Sequence, residues 1–275
     1  MTRPNASAGP SKSPRARKRG FLAYKVDSGN YHIDRASSVW SVAGELLLRE
    51  VLAARKYMRG RLLDVGCGIR PYALIYDEVV DQSIGTEVAY SPHGTAAADV
   101  ICSADSLPFP DESFDTILCT EVLEHTRRPW LAIGELARVA CAGSHVIISV
   151  PFIYPEHEAP NDYWRFTVNG IRSLCEDVDL HILEVGCKGG PIATALSLWA
   201  NVAVRGVNAI SRALRRNPPL RETKLVRWAI AFPQVLYLWA IRNGLGVLEQ
   251  PPVSRWMSPG FFVIARKITK GDMAA

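Results

Sequence analysis

Residues Arg61-Leu62-Leu63-Asp64-Val65-Gly66-Cys67-Gly68-Ile69-Arg70-Pro71-Tyr72 constrain the fold more than any other stretch of this chain. Residues 61–65 fit a short apolar strand of the kind buried on both faces of a parallel sheet. The strand stops in a turn with glycines at 66 and 68, where the backbone is free to bend sharply and a ligand can approach the main chain. Such a turn is a generic nucleotide-loop signal. Glu87, about twenty positions further on at the end of the next apolar run, makes it more specific, because an acid there suits a ribose diol.

The pattern repeats downstream. Apolar residues at helical spacing from Ser37 to Met58 predict a helix before the first strand, and a short, imperfect helix is expected over Tyr72–Val80. Further strands are expected at 83–88, 100–102, 114–119, 145–150, 181–185 and 261–267, with helices over Trp130–Val139 and Val168–Cys175. Strands alternating with helices over about 130 residues predict an α/β fold, a mostly parallel sheet covered on both faces. A nicotinamide-dinucleotide fold would want a third glycine at position 71, and Pro71 stands there.

Charge divides the chain into parts. Residues 1–20 carry six basic residues and no acid, lack apolar periodicity, and read as a disordered basic tail without the apolar core of a secretory signal. Residues 21–190 hold 14 basic and 24 acidic residues, a net −10, and residues 191–258 hold nine basic and two acidic, a net +7. Residues 259–275 contain the last strand and a C-terminal tail. A net −10 core would repel phosphates, and with no recognition motif in view no nucleic-acid partner is expected. The six cysteines are scattered without C-x-x-C spacing, so they read as reduced thiols in a cytoplasmic protein, with no metal called for.

Four motifs in order then resemble the class I S-adenosylmethionine-dependent methyltransferases of the type-11 kind: Leu63-Asp64-Val65-Gly66-Cys67-Gly68, Gly85-Thr86-Glu87, Leu107-Pro108-Phe109-Pro110-Asp111-Glu112-Ser113-Phe114-Asp115 and Glu121-Val122-Leu123-Glu124-His125. The resemblance covers about residues 60–187 and the final strand. It implies a Rossmann-like, doubly wound, mostly parallel seven-stranded sheet with a helical insert before the last strand. It also implies S-adenosylmethionine as cofactor. Gly66, Cys67 and Gly68 would pass close to the methionyl part, with Asp64 favouring its ammonium, and Glu87 would accept both ribose hydroxyls. Ser103, Ala104 and Asp105 would hold adenine. Ser103 stands where the family commonly has an aspartate, and Arg70 where it commonly has a glycine. Cys119, Thr120 and Glu121 would floor the site near the reacting methyl. His125 reads as a structural histidine.

The loop 151–167 leaves the carboxyl edge of the sheet, where ligands sit in open α/β folds, and resembles loops of bacterial methyltransferases of glycan and natural-product pathways. His157 is its candidate general base, because imidazole titrates near neutrality. Tyr154, Asp162, Trp164 and Arg165 are its candidate acceptor-binding residues, with Asp162 and Arg165 also readable as a structural pair.

Residues 191–258 predict two amphipathic helices, roughly 192–215 and 222–247, separated by Asn217-Pro218-Pro219. The apolar run Leu225–Ile241 is about 17 residues long and interrupted, short for a membrane span. Basic residues with Trp199, Trp228, Trp239 and Trp256 suit either a lid over the pocket or a surface resting on the inner face of an anionic membrane. The expected function is methyl transfer to a small-molecule, glycan or lipid-linked acceptor. The alternative is a non-catalytic cofactor-binding or membrane-associated scaffold.

Overall fold

The computed structural model describes residues 24–27, 30–33, 41–215, 217, 219–246, 249 and 253–268. The expected tail at 1–20 lies outside them. A hairpin of β1 (Tyr24–Asp27) and β2 (Asn30–Ile33), absent from the sequence expectations, precedes α1 (Ser41–Ala54), which ends before the expected Met58; positions 37–40 of that expected helix lie outside the described residues. The core then runs β3 (Arg61–Val65), α2 (Ala73–Tyr76), β4 (Gln82–Glu87), β5 (Val100–Ile101), β6 (Phe114–Thr120), α3 (Pro129–Val139), β7 (Ala140–Pro151), α4 (Val168–Glu176) and β8 (Leu180–Cys187). The insert supplies α5 (Pro191–Ala213), α6 (Lys224–Arg242) and α7 (Val253–Trp256), and β9 (Gly260–Lys267) returns to the sheet.

The seven strands lie in the order β5-β4-β3-β6-β7-β9-β8, all parallel except β9, which runs antiparallel to both neighbours. Strand β3 is central, with β4 on one side and β6 on the other. The chain therefore winds outward in both directions from β3 and β6, and a crevice opens at their carboxyl ends, the usual ligand position in such sheets.

Side-chain alternation makes the two-faced core. Leu63, Val65, Ile117, Val146, Ile148 and Val150 point to the face covered by α3 and α4. Leu62, Leu118, Ile147, Phe262 and Ile264 point to the face covered by α1 and α2. Each such fully buried aliphatic side chain contributes about 1.5–3 kcal/mol, so strands that read as continuous apolar runs are what a doubly covered sheet requires. Helix α4 starts at Thr167, whose hydroxyl accepts from Gly170 N at 3.0 Å.

The insert extends the α1 side of the molecule. Val42 and Leu46 of α1 pack with Ala193 of α5 and with Tyr237 and Leu238 of α6. Arg242 at the end of α6 pairs with Glu45 of α1 at 2.5 Å. Among the described residues no helix is long and apolar enough to cross a membrane.

Candidate active site

A cavity of about 890 Å³ opens at the carboxyl edge of the sheet. It is lined by every residue expected to bind the cofactor (Asp64, Gly66, Cys67, Gly68, Glu87, Ser103, Ala104, Asp105, Thr120 and Glu121) and by His157.

Asp64 ends β3 and is 2% exposed. Register places it opposite Gly85 of β4, and the Tyr76 hydroxyl donates to its Oδ2 at 2.9 Å. Burial pushes its carboxyl up to about 7, against the opposing pull of the Tyr76 hydrogen bond and the Arg70 charge. Arg70 sits at φ 54°, the left-handed region where a glycine is at ease. Its guanidinium reaches Asp99 Oδ2 (2.8 Å), Ser83 Oγ (3.0 Å) and the Tyr76 hydroxyl (3.2 Å). The arginine thus ties the turn to β4 through the same tyrosine that orients Asp64.

The glycine turn is built as much for packing as for a ligand. Gly66 has φ 65°, and a β-carbon there would come within 2.3 Å of Val122 Cγ2. Gly85 has no special φ, yet a β-carbon there would meet Cys67 Sγ at 2.8 Å, so the thiol of the turn rests over the neighbouring strand. Burial raises the Cys67 thiol well above its usual range, and it is inert.

Glu87 ends β4 and is 7% exposed. Its Oε2 accepts from Gly68 N at 2.7 Å and its Oε1 from Val88 N at 2.9 Å. Those bonds lock the carboxylate while leaving each oxygen further accepting capacity. Across the crevice Ser103 opens a tight turn in which Ser106 N donates to Ser103 O at 3.1 Å. Asp105 Oδ2 lies 3.6 Å from Arg128 Nη2, so it is oriented by a cation on the rim. The Leu107–Asp115 motif stays behind this wall. Leu107 N donates to Glu135 Oε2 at 2.7 Å, and Arg138 of α3 binds the carbonyls of Leu107 and Phe109 and the Asp111 carboxylate. The motif pins the Ser103–Asp105 wall in place from outside.

The floor differs in part from expectation. Thr120 and Glu121 line it, whereas Cys119 is wholly buried in the core among α3-facing side chains. Glu121 stands at φ 54° and accepts from the Ser149 hydroxyl at 2.8 Å and from the Lys188 ammonium. Burial pushes the Glu121 carboxyl up, but Lys188 and Ser149 outweigh it and hold it below its ordinary value. Lys188 escaped the sequence reading. It is 6% exposed and lies over Gly260 of β9, where a β-carbon would sit 2.4 Å from its Cε. A lysine directly after the apolar strand β8 was the available signal.

The acceptor end gathers side chains from three segments. His157 N donates to Asp162 Oδ2 at 2.8 Å, and burial pushes its imidazole below the usual value, so the ring is neutral at pH 7. His125 lines the cavity beside it, ring edge to face at 4.8 Å, with Nδ1 bonded to Asn161 O at 2.7 Å. His93 reaches Glu158 Oε1 at 2.9 Å. Glu124 is fully buried under His125, and burial beside Glu121 raises its carboxyl well above the ordinary value. Of these only His157 was singled out for chemistry, because His93, Glu124 and Glu158 carry no pattern of their own and His125 read as structural.

The four expected acceptor-binding residues do not line the cavity. Arg165 forms two bonds to Asp162, at 2.6 and 2.7 Å, and holds the carbonyls of Tyr154 and Pro155. The Asp162 side chain is 1% exposed, so this pair is the brace that shapes the loop. Trp164 donates to Thr126 O at 3.0 Å and packs edge-on against Trp130. Tyr154 packs edge to face against His157 and lies next to Asn201 of α5. A loop this polar must satisfy its own backbone before it can offer groups to a ligand. Among the described residues, none from 191–258 lines the cavity, but Arg205 of α5 donates to Glu156 O of the 151–167 loop at 2.5 Å.

The four motifs, their order and the sheet carry one family signature. A family model described as "Methyltransferase domain", type 11, matches residues 63–148. Residues 63–148 are thus similar to a methyltransferase domain. Outside that model, the chain is 33% identical over 113 residues to the uncharacterized methyltransferase YcgJ of Bacillus subtilis, covering 37% of this chain and 42% of that protein. It is 29% identical over 113 residues to the uncharacterized protein MJ1123 of Methanocaldococcus jannaschii, covering 40% and 55%. The chain thus spans about half the length of the relatives it matches. Among solved structures, the [4+2]-cyclase SpnF superposes with a TM-score of 0.51 at 18% identity, covering 90% of this chain and 87% of that one. At that identity the likeness speaks for the fold alone.

The family's cofactor fits the residues present. A carboxylate held by two backbone amides lines the cavity at the end of β4, a second buried carboxyl lies at the turn, and the volume is in the range of sites for one drug-sized ligand.

Proposed function

We propose that this chain transfers a methyl group from S-adenosylmethionine to a small-molecule or glycan acceptor, in a lipid-linked form. The observation that carries the proposal is Glu87, buried and locked by Gly68 N and Val88 N, in one cavity with a neutral His157 at its far end. When bound, S-adenosylmethionine supplies an electrophilic methyl on a sulfonium leaving group. Glu87 accepts the ribose hydroxyls. Asp64 balances the methionyl ammonium, losing the proton that burial lets it keep. Thr120 and Glu121 set the floor along which acceptor and methyl align, and alignment is the larger part of catalysis for an in-line displacement. His157, held by Asp162, takes the acceptor proton.

The lipid-linked acceptor rests on the insert. One face of α6 is buried on α1 and α5. The other exposes Leu225, Trp228, Phe232, Leu236 and Trp239 at helical spacing, with Trp228 61% and Trp239 55% exposed. Arg205, Arg212, Arg215 and Arg221 line a basic hollow beside it. An apolar stripe and a hollow of arginines on the same insert suit the surface of an anionic membrane, and they support a peripheral position on its inner face.

Calorimetry with S-adenosylhomocysteine tests the cofactor, and methyl label from S-adenosylmethionine tests the activity against small-molecule, glycan and lipid-linked acceptor pools. Absence of binding overturns the proposal. Binding without label transfer to any pool favours the alternative of a non-catalytic cofactor-binding scaffold.

A further inference from the structure

An unexplained carboxyl group lies behind the cavity wall, beside His125. Glu124 is wholly buried, yet neither side-chain oxygen has a hydrogen-bond partner among the described residues. Buried polar groups are almost always paired, because an unpaired one forfeits its hydration for nothing. His125 Nε2 lies 3.8 Å from Glu124 Oε1 and 3.8 Å from Glu158 Oε2. One ligand atom each from Glu124, His125 and His157 fall within 4.8 Å of one another.

Both imidazoles are already committed on their other nitrogen. Nδ1 of His125 meets Asn161 O at 2.7 Å. Nδ1 of His157 lies 3.2 Å from Asp162 Oδ2 and 3.3 Å from Pro155 O, with Arg165 Nη2 at 3.5 Å while it binds those same two acceptors. A carbonyl or carboxylate on one ring nitrogen places the proton there and turns the lone pair of Nε2 outward, the arrangement that orients metal-binding histidines. Two neutral imidazoles and a carboxylate form a donor set suited to zinc and its divalent neighbours. Ligands about 2.1 Å from a tetrahedral ion sit about 3.4 Å apart, so His125 is near that spacing from Glu124 at 3.8 Å, and the full set, within 4.8 Å, closes by side-chain rotation.

We propose that Glu124, His125 and His157 form a binding site for a divalent transition-metal cation, zinc in the first instance, at the acceptor end of the cavity, with Glu158 as an additional ligand. The sequence called for no metal, because the ligands carry no zinc-finger spacing. With the ion bound, the lone pair of His157 would be a ligand and no longer the base, and an acceptor oxygen taking the fourth coordination position from Glu158 would pass its proton to the Glu158 carboxylate that it displaces. This last consequence rests on the methyl-transfer proposal. The metal site itself does not.

The experiment uses the untagged full chain, stripped with a chelator and dialysed. Titration with zinc chloride by calorimetry is expected to give one equivalent at submicromolar Kd, and cobalt(II) should develop the visible absorption of an imidazole-carboxylate site. Glu124→Gln, which keeps the shape of the side chain, and His125→Ala should each weaken zinc binding at least 100-fold. His181→Ala, on exposed β8, should leave it unchanged and control for surface histidines. Circular dichroism and S-adenosylhomocysteine affinity on the same samples report folding and the cofactor site separately. No zinc uptake by the folded wild type overturns the proposal. So does uptake that Glu124→Gln and His125→Ala leave unaltered.

Discussion

The two ends of one cavity are built by different means. At the cofactor end, a turn and the strand tips beside it do the work: Gly68 N holds Glu87, Cys67 covers Gly85, and Arg70 reaches Asp99 and Ser83. Few of these contacts need anything beyond neighbouring strands in register. At the acceptor end, Glu124–His125 and His157–Glu158 arrive from separate segments, His93 reaches Glu158 from its place beside Gly68, and a partly buried Asp162–Arg165 pair braces the 151–167 loop. Strand pairing therefore shapes the cofactor end, while the acceptor end depends on a loop whose own side chains, Asp162 and Arg165 above all, hold its backbone.

That contrast can be broken by substitution. Asp162→Ala leaves the Arg165 guanidinium without its buried partner. Breaking such a pair costs about 3 kcal/mol, read as a lower midpoint in urea with unchanged m-value, and it should disorder the His157 loop. A loss below 1 kcal/mol would mean that the loop holds its shape without the brace. Glu87→Ala acts at the other end. A lost charge-assisted hydrogen-bond set is worth about 1.5–3 kcal/mol, so S-adenosylhomocysteine should bind roughly 100-fold more weakly by calorimetry, with little change in thermal stability.

His157→Ala sharpens the division of labour. General-base assistance is worth about 10²-fold or more, so label transfer to whichever acceptor the wild type uses should fall by that factor while S-adenosylhomocysteine affinity is retained. Loss of both together would merge the two ends into one site.

The buried Asp64 gives a pH test. Its folded carboxyl holds a proton up to about pH 7, whereas the cofactor ammonium favours the carboxylate, so binding releases that proton. Affinity for S-adenosylhomocysteine should therefore rise with pH, by about tenfold between pH 6 and 8, and Asp64→Asn should flatten the curve. A pH-independent wild type would mean that Asp64 stays protonated in the complex. The smallest effect on the fold is expected at the insert. Trp228→Ala with Trp239→Ala should shift stability by less than about 0.5 kcal/mol each yet reduce flotation with anionic liposomes. Unchanged flotation removes the membrane proposal.

The sequence by itself determined the cofactor end, since its groups sit at strand tips whose order follows from apolar runs and two glycines. A glycine pair, an acid after the next strand and an extended Leu-Pro-Phe-Pro loop are local signals, and register carried them to one crevice. Even there, packing supplied reasons that no pattern shows: Gly66 yields to Val122, Gly85 to Cys67, and the Leu107–Asp115 motif braces a wall from behind. Only the tertiary structure decided the acceptor end. Asp162, Trp164 and Arg165 read as binding groups, but the loop spends them on its own backbone, while Lys188 and His93 reach the site across gaps of 67 and 65 residues to Glu121 and Glu158. Tertiary structure likewise decided where the insert packs, because α1 offered Val42 and Leu46 for its apolar face to cover. Periodicity reports that a face is apolar, whereas which surface covers it depends on the whole chain.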